Sequence, residues 1–521
     1  MKQPKKETWS SKWVLILAMA GNAIGLGNFW RFPYMAANYG GAAFILPYFV
    51  SILILGVPIL ICEWYIGRAG GSRGFSTAAP MIYLQAERGM KKKHAMVVAS
   101  VIGALAFSVT LLVNSYYNHI IGWTLNYSFK AIFGTLTHHA QNTTQVFTET
   151  VSTPWQIFVF WLISVAIIGF AVSRGIKNGI EKWTKYMIPL LYIFAIVLAV
   201  KALTLGSPVN PEWSALKGLN FVWQPDFSKL NWKSAMAAAG QVFFTLSVGM
   251  GIIMHYASFL KKDDDIVVST TATVALNEFA EVILAASIVI PITYAYMGEE
   301  GLSAQTIGLT FVTMPNVFRD MPLGSIMAFL WFVLLFFAGI TSAIAMYSYL
   351  TSLIMECTHF SRKQSALIIF GMYVVFGLPV ALEPIFTKTT DFIYFTEMDN
   401  WVGNYLLLIV GLIEILVVGW AVKWPALEEI NRGGLAKIPR WFFGVFMRYV
   451  APAFLIVVLL FSTRTYIMEG YFNLIPDYVR NTANATVSAV FANLARVVVL
   501  LSLVGGYLLS YWNLKREGEK L

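Results

Sequence analysis

The residues of this chain best suited to chemistry are mostly uncharged. Between Gly21 and Pro33, three glycines (Gly21, Gly25, Gly27), two asparagines (Asn22, Asn28) and Arg31 interrupt an otherwise apolar run. Each glycine costs about 1 kcal/mol in a helix interior relative to alanine, and asparagine and arginine are expensive at bilayer depth. Lipid offers no partners to freed backbone groups, so such a break persists only where it lines a cavity or a site. An opened helix exposes carbonyl oxygens, which suit a hard cation such as sodium. The half-helix that follows begins with free N–H groups and a positive dipole end, which suit an anion. The Gly25-Leu26-Gly27 backbone can therefore supply amides to a carboxylate, while Asn28, Thr245 and Asn277 supply side-chain oxygens to a cation.

A second interruption lies at 240–251, where Gly240, Gly249 and Gly251 flank Thr245 and Ser247. It falls in the sixth apolar run, five after the first. Paired breaks in corresponding positions point to a transporter-type site between two inverted halves, since an odd repeat reverses chain direction. Close helix packing explains either glycine cluster alone, but not the polar residues at both. Thr341 and Ser342, beside Ala338, put adjacent hydroxyls in the eighth run; taken alone, they would bond the carbonyl one turn back. Glu63, Glu278, Glu281 and Glu414 also fall within apolar runs, where an ionisable group is by default a functional candidate. Glu281 stands out because it follows Asn277 by one helical turn, on the same face.

The elements that must position these residues follow from composition. The 521 residues are 58% hydrophobic and only 12% charged, against about 25% charged in soluble domains. Long apolar runs recur throughout, which predicts an all-α polytopic membrane protein. Twelve transmembrane helices are expected at 14–36, 41–67, 95–125, 155–173, 186–204, 236–257, 266–297, 325–356, 364–382, 391–422, 449–468 and 485–512. The organisation expected is a cytoplasmic segment 1–13, a first five-helix repeat 14–204, an outer loop 205–235, a second repeat 236–422, two further helices within 423–512, and a tail 513–521. With the N-terminus inside, 26 of the 37 Lys and Arg fall on the cytoplasmic side and 11 on the other. That asymmetry predicts both termini inside, and it accounts for the net charge of +10 without nucleic acid. Cys62 and Cys357 lie far apart and form no CxxC or Cys/His cluster, so neither a disulfide framework nor a metal centre is implied.

The ordered motif Gly21 to Pro33, with Asn38-Tyr39-Gly40-Gly41, Phe244 to Gly249 and Ala338 to Ser342, resembles the neurotransmitter:sodium symporters, nearest the bacterial leucine-transporter type. The resemblance runs from Trp9 through the tenth helix and more loosely over the last two. It implies a core of two inverted five-helix repeats, sodium-coupled import and alternating access. It also implies a first sodium site at Ala23, Asn28, Thr245 and Asn277, and a second at Gly21, Ile24, Ala338, Thr341 and Ser342. A substrate carboxylate would meet the Leu26 and Gly27 amides and Tyr117, and an amino group would meet Ala23, Phe244, Thr245 and Ser247. Asn22, Gly25, Val113, Met250, Ser342 and Met346 would complete the pocket. Gly25 stands where monoamine members resemble one another in carrying Asp, so the implied substrate brings its own carboxylate and is a small neutral, apolar amino acid. Glu281 stands where chloride-dependent members carry Ser; beside Tyr48, Gln241 and Asn277 it would substitute for chloride, and its protonation could serve the return step. Arg31 and Asp399 would form an outer gate, with Tyr117 and Phe244 as a lid. Lys6, Trp9 and Glu356 would form the inner lock, although the family's prototype has Arg and Asp at positions 6 and 356 and Tyr at Phe259. Two sodium ions, membrane lipid, a candidate homodimer and a bacterial inner (plasma) membrane are the partners and location implied.

Other classes fit less well. A channel normally repeats its filter by symmetry across subunits, whereas these two breaks are single and unlike. An intramembrane enzyme needs a nucleophile–base pair or a metal cluster, and of six histidines only His119 lies deep in a run, so no catalytic residue is assigned. A transporter-like amino-acid sensor without flux differs from a transporter only in assay.

Overall fold

Apolar runs without internal turn signals fold as long helices, and the structure, a computed structural model, describes them for residues 7–137, 142–303 and 306–517. No strand is present among the described residues. Ten continuous helices are long and apolar enough to cross a membrane: Ala42–Gly71, Lys92–Ile132, Pro154–Ser173, Ile176–Leu203, Ile266–Met297, Gly324–Cys357, Arg362–Thr387, Ile393–Val422, Phe442–Met468 and Ala485–Arg516. A bent pair, Lys12–Ala23 and Leu26–Asn38, turns by 52° at its break and precedes them. A second broken pair, Trp232–Leu246 and Ile252–Ala257, lies between Ile176–Leu203 and Ile266–Met297. Numbered in chain order, these are spans 1 to 12, with spans 1 and 6 broken.

Burial separates the centre from the rim. The most apolar stretch of span 3 is 78% buried inside the protein, against 33% in span 11. Span 3 is therefore an axle that packs along span 8, and Leu460, Leu500, Leu501 and Val504 on the outer spans present apolar surface to lipid. Both broken spans are enclosed: the first half of span 1 packs on spans 7 and 8, and the first half of span 6 on spans 1 and 2.

Several boundaries extend beyond the sequence expectation because polar residues at helix ends find partners. Span 3 runs to Ile132, where Asn126 Nδ2 donates to Gln156 Oε1 at 3.1 Å and Lys130 Nζ donates to the Thr150 hydroxyl. Span 5 begins at Ile176 rather than near 186, since Glu181 faces the N-terminal segment and accepts the Ser10 N–H at 2.8 Å. The 205–235 loop carries a helix, Ala215–Trp223, capped by Ser214, whose Oγ accepts the Lys217 N–H at 3.1 Å.

Candidate functional site

At the break in span 1, Ile24 and Gly25 adopt extended backbone, so the helix ends at Ala23 and restarts at Leu26. Asn28 caps the restart: its Oδ1 accepts the Gly25 N–H at 2.8 Å. The Leu26 N–H donates to the Tyr117 hydroxyl at 2.9 Å, which brings span 3 onto the start of the half-helix. A Cβ on Gly25 would stand 2.9 Å from the Tyr117 hydroxyl and 3.2 Å from Ser342 Oγ, and one on Gly27 would run into the Phe244 ring. The two glycines let a tyrosine and a phenylalanine close directly on backbone.

In span 6 the break is sharper. Ser247, Gly249 and Gly251 all take positive φ (53°, 80° and 73°), the region that favours glycine. Ser247 is the exception among the three, and its Oγ donates to the Asn22 carbonyl at 3.1 Å. Ser342 Oγ donates to the same carbonyl at 2.9 Å, with the Gly21 and Ala338 carbonyls each 3.3 Å away. Thr341 Oγ1 donates to the carbonyls of Phe337 (2.9 Å) and Ala338 (3.1 Å). Gly21 is close-packed on Thr341, so the break in span 1 and the hydroxyl pair of span 8 meet in an all-oxygen cluster. Asn22 Oδ1 is buried there with no hydrogen-bond partner among the described residues.

A second oxygen cluster surrounds Asn28. Its Nδ2 reaches Asn277 Oδ1 at 2.9 Å, Glu281 Oε2 at 2.8 Å and Thr245 Oγ1 at 3.1 Å. Glu281 also accepts from Gln241 Nε2 at 2.6 Å and from the Thr245 hydroxyl. Asn28 was expected to turn an oxygen toward this group; instead its oxygen caps Gly25, and its NH₂ donates into the group. Both clusters consist of hard oxygens, the donor type a sodium ion requires. Tyr48 is adjacent, and its hydroxyl donates to Glu278 Oε1 at 3.2 Å, which also accepts from Asn277 Nδ2 at 3.1 Å. Glu278 therefore joins the cluster. Just beyond it the helix widens into a π-turn over Phe279–Ala285, a form common at functional sites.

Val113, Met250 and Met346 are buried, and their helices are tied beside the breaks. Thr110 Oγ1 donates to the Met250 carbonyl at 2.7 Å, and Asn114 Nδ2 to the Ala343 carbonyl at 3.3 Å. Above Tyr117 and Phe244 lies a cavity of about 710 Å³ that also borders Arg31, Phe395 and Asp399. The Arg31 guanidinium rests over the Phe244 ring, 4.8 Å from its centroid.

The direct Arg31–Asp399 pair expected from sequence is not formed. Arg31 Nη2 donates to Asn404 Oδ1 at 3.1 Å, and Asn404 Nδ2 donates to Asp399 Oδ2 at 3.1 Å. The π-helical stretch Asp399–Tyr405 places residues five apart on one face, so Asn404 stands between the two charges. Tyr116 completes this gate through its hydroxyl, which donates to Asp399 Oδ1 at 2.8 Å. An asparagine five residues after an aspartate was the signal available in the sequence.

At the opposite end, Trp9 Nε1 donates to the Tyr256 carbonyl at 3.0 Å, and its ring meets Tyr256 and Phe259 edge-on. Glu356 accepts from Ser76 N at 2.5 Å, from Ser76 Oγ at 2.6 Å and from the Thr77 hydroxyl. Lys6 lies outside the described residues. Glu7 pins the N-terminal segment, 3.3 Å from Arg362 Nη2 and accepting the Ile176 N–H at 3.0 Å. Of the remaining carboxylates, Glu63 is structural: its Oε1 accepts the Gly249 N–H at 2.5 Å and holds the unwound part of span 6 to span 2. Glu414 lies against Glu63.

The profile of the sodium:neurotransmitter symporter family matches residues 6–153 and 138–505. A sodium-dependent transporter of Methanocaldococcus jannaschii is 32% identical over 492 residues, covering 90% of this chain and 93% of its own. The sodium-dependent transporter YhdH of Bacillus subtilis is 29% identical, covering 88% of this chain and 98% of its own. The crystal structure of MhsT in complex with L-phenylalanine superposes with a TM-score of 0.76 at 30% identity, covering 88% of this chain and all of that one. Broken spans, oxygen clusters and these likenesses agree: the chain is a membrane-spanning, sodium-dependent transporter of the sodium:neurotransmitter symporter family.

Proposed function

We propose that the protein imports a neutral, apolar α-amino acid with two sodium ions, without chloride, by alternating access. One relationship carries this reading. The N-terminus of the second half of span 1, closed by Tyr117 at 2.9 Å, lies one turn from the Asn28–Thr245–Asn277–Glu281 oxygens. An anion seat adjoins a cation seat. The substrate carboxylate fits the first, on the Leu26 and Gly27 amides and the Tyr117 hydroxyl. A first sodium ion fits the second with the Ala23 carbonyl, once the Asn28 amide turns its oxygen inward. A second ion fits the carbonyls of Gly21, Ile24 and Ala338 with the hydroxyls of Thr341 and Ser342. The unpartnered Asn22 Oδ1, with the carbonyls beside Thr245 and Ser247, suits the ammonium group.

Gly25 puts no side chain between Tyr117 and Ser342, which supports a substrate that brings its own carboxylate to that position. Met250 and Met346 favour an adaptable apolar side-chain pocket, and the bound phenylalanine of MhsT is in keeping with that. Glu281 already holds the donors that would otherwise receive chloride. The excess of Lys and Arg on the side assigned to both termini supports a cytoplasmic location for that side. Sodium and substrate then stabilise one another's sites, and each raises the affinity for the other by the same factor.

Uptake of labelled amino acids into proteoliposomes, with sodium and chloride varied independently, tests the reading. Saturable uptake of Leu, Met, Phe or Trp driven by a sodium gradient and unchanged by chloride is expected. Sodium-independent uptake, or none of any amino acid, overturns it.

A further inference from the structure

A cavity of about 430 Å³ opens at the end of the bundle that carries the inner lock, remote from both oxygen clusters. That volume lies within the range of about 300–1,000 Å³ common to small-ligand sites. Four separate segments build it: the end of span 2, the connection to span 3, the span 6–7 connection and the span 10–11 connection. Its charged lining consists of Arg68, Arg73, Arg88, Lys262 and Arg432, opposed by Glu87 and Glu429.

The five cations outnumber the two carboxylates of the lining. Arg68 directs its guanidinium to main-chain carbonyls, Asp264 at 2.6 Å, Arg432 at 3.5 Å and Glu429, and so braces two connections. Glu429 lies 3.6 Å from Arg88 and also faces Arg68, so one carboxylate is shared between two guanidinium groups. Behind Arg68, the Asp264 carboxylate turns away to accept the Lys261 N–H at 2.8 Å. The side chains of Arg73, Lys262 and Arg432 are exposed and make no hydrogen bond or ion pair among the described residues. Cations gathered around one concavity repel, and a multiply charged anion relieves that repulsion. Guanidinium forks suit phosphate oxygens in particular, two donors to two oxygens. An apolar ligand is disfavoured, because Ala69 and Leu84 are the chief apolar contributors.

We propose that this cavity binds a phosphate-bearing anion, either the headgroup of an anionic phospholipid or a free phosphate. Basic pockets between membrane helices on the cytoplasmic side attract such groups. Bound there, the anion ties span 2 and the 6–7 connection to the 10–11 connection. Ser76 and Thr77, which hold Glu356 of the inner lock, follow Arg73 in the same loop, so occupancy favours the conformation described here.

The test uses the full chain purified in detergent. Binding of phosphatidylglycerol, with phosphatidylcholine as the zwitterionic control, is followed by native mass spectrometry; inorganic pyrophosphate is followed by thermal unfolding. R73Q/K262Q/R432Q removes three exposed cations of the cavity. K91Q/K92Q/K93Q removes three exposed cations elsewhere on the same end. Phosphatidylglycerol should be retained by wild type and by the Lys91–93 variant, and bound roughly a hundredfold more weakly by the cavity variant, on the order of fivefold per cation. Should the triple variant fail to fold, R73E alone should weaken binding about twentyfold by the same reckoning. Displacement of the lipid by pyrophosphate, with a cavity-dependent rise in Tm, assigns the site to a free phosphate; no displacement assigns it to the headgroup. Equal binding by wild type and cavity variants of both probes, or an equal loss in the Lys91–93 variant, overturns the proposal.

Discussion

Glu281 accepts a hydrogen bond from Asn28 at 2.8 Å across 253 residues of sequence, and this contact links the break in span 1 to span 7. The same carboxylate takes Gln241 at 2.6 Å, the Thr245 hydroxyl and, more weakly, Asn277 at 3.5 Å, so four donors converge on one buried carboxyl group. In Glu281→Ser these donors lose their acceptor, at a cost of about 1–3 kcal/mol for each one left buried and unmet. A chloride ion can fill the vacated position. Uptake by wild type should be indifferent to replacing chloride with gluconate, while E281S should lose at least roughly tenfold in rate without chloride and recover with it. Chloride-insensitive transport by E281S would remove the case for substitution.

Gly25 supports a second prediction. An added Cβ would come 2.9 Å from the Tyr117 hydroxyl and 3.2 Å from Ser342 Oγ. Gly25→Asp would place a carboxylate where the substrate's own is proposed to sit. Two desolvated carboxylates cost several kcal/mol, so amino-acid affinity should fall by about a thousandfold in equilibrium dialysis. A primary amine lacking the carboxylate should lose far less. Normal binding of the amino acid to G25D would show that the carboxylate sits elsewhere.

Much of this site was legible because broken helices leave a strong trace: glycine and asparagine stand out in apolar sequence. Helix phase also predicted that Asn277 and Glu281 share a face, and they meet at 3.5 Å. The traces failed where the helix repeat changes. The π-turn at Asp399–Tyr405 has no compositional mark, yet it sets Asn404 between Arg31 and Asp399. Which way the Asn28 amide faces depends on contacts from spans 6 and 7, and local sequence carries no record of it.

Asn404 gives a third prediction. Arg31 Nη1 is buried without a hydrogen-bond partner among the described residues, so the Nη2 bond to Asn404 is what ties it to span 10. Asn404→Leu removes that bond and the one to Asp399. Losing one hydrogen bond to a charged group costs about 1.5–3 kcal/mol, so bound amino acid should dissociate roughly tenfold faster or more. Filter-binding chase with unlabelled substrate measures this; an unchanged rate would mean that Asn404 takes no part in the gate.

Glu63 separates a charge from a hydrogen bond. Its Oε1 accepts the Gly249 N–H at 2.5 Å, and Glu414 lies against it. In Glu63→Gln the amide oxygen can still accept from Gly249 while the NH₂ donates to Glu414. Glu63→Ala strands the Gly249 amide and opens a cavity. The first should keep or raise Tm, and the second should lower stability by about 1–3 kcal/mol. A fall in Tm for both would mean that the charge itself is needed.

Trp9 provides the last prediction, on the conformational cycle. Its Nε1–H donates to the Tyr256 carbonyl at 3.0 Å, and its ring meets Tyr256 and Phe259 at 5.3 and 6.4 Å. These contacts link the N-terminal segment to the second half of span 6, so they exist only while the inner end is closed. A neutral hydrogen bond and two edge-on ring pairs together contribute about 2 kcal/mol, which biases the closed state roughly thirtyfold. Trp9→Ala should therefore open the inner end, and Trp9→Phe, which keeps a ring but no donor, should open it less. Ser258 is buried beside this contact. In a background with Cys62 and Cys357 replaced by serine, Ser258→Cys should react faster with a water-soluble thiol reagent when Trp9 is alanine, with phenylalanine intermediate. Sodium should slow the reaction if it favours closure, since a ligand shifts the equilibrium toward the state it binds more tightly. Equal labelling in all three backgrounds would place the closing contact elsewhere, with the Glu356–Ser76–Thr77 cluster the next to vary.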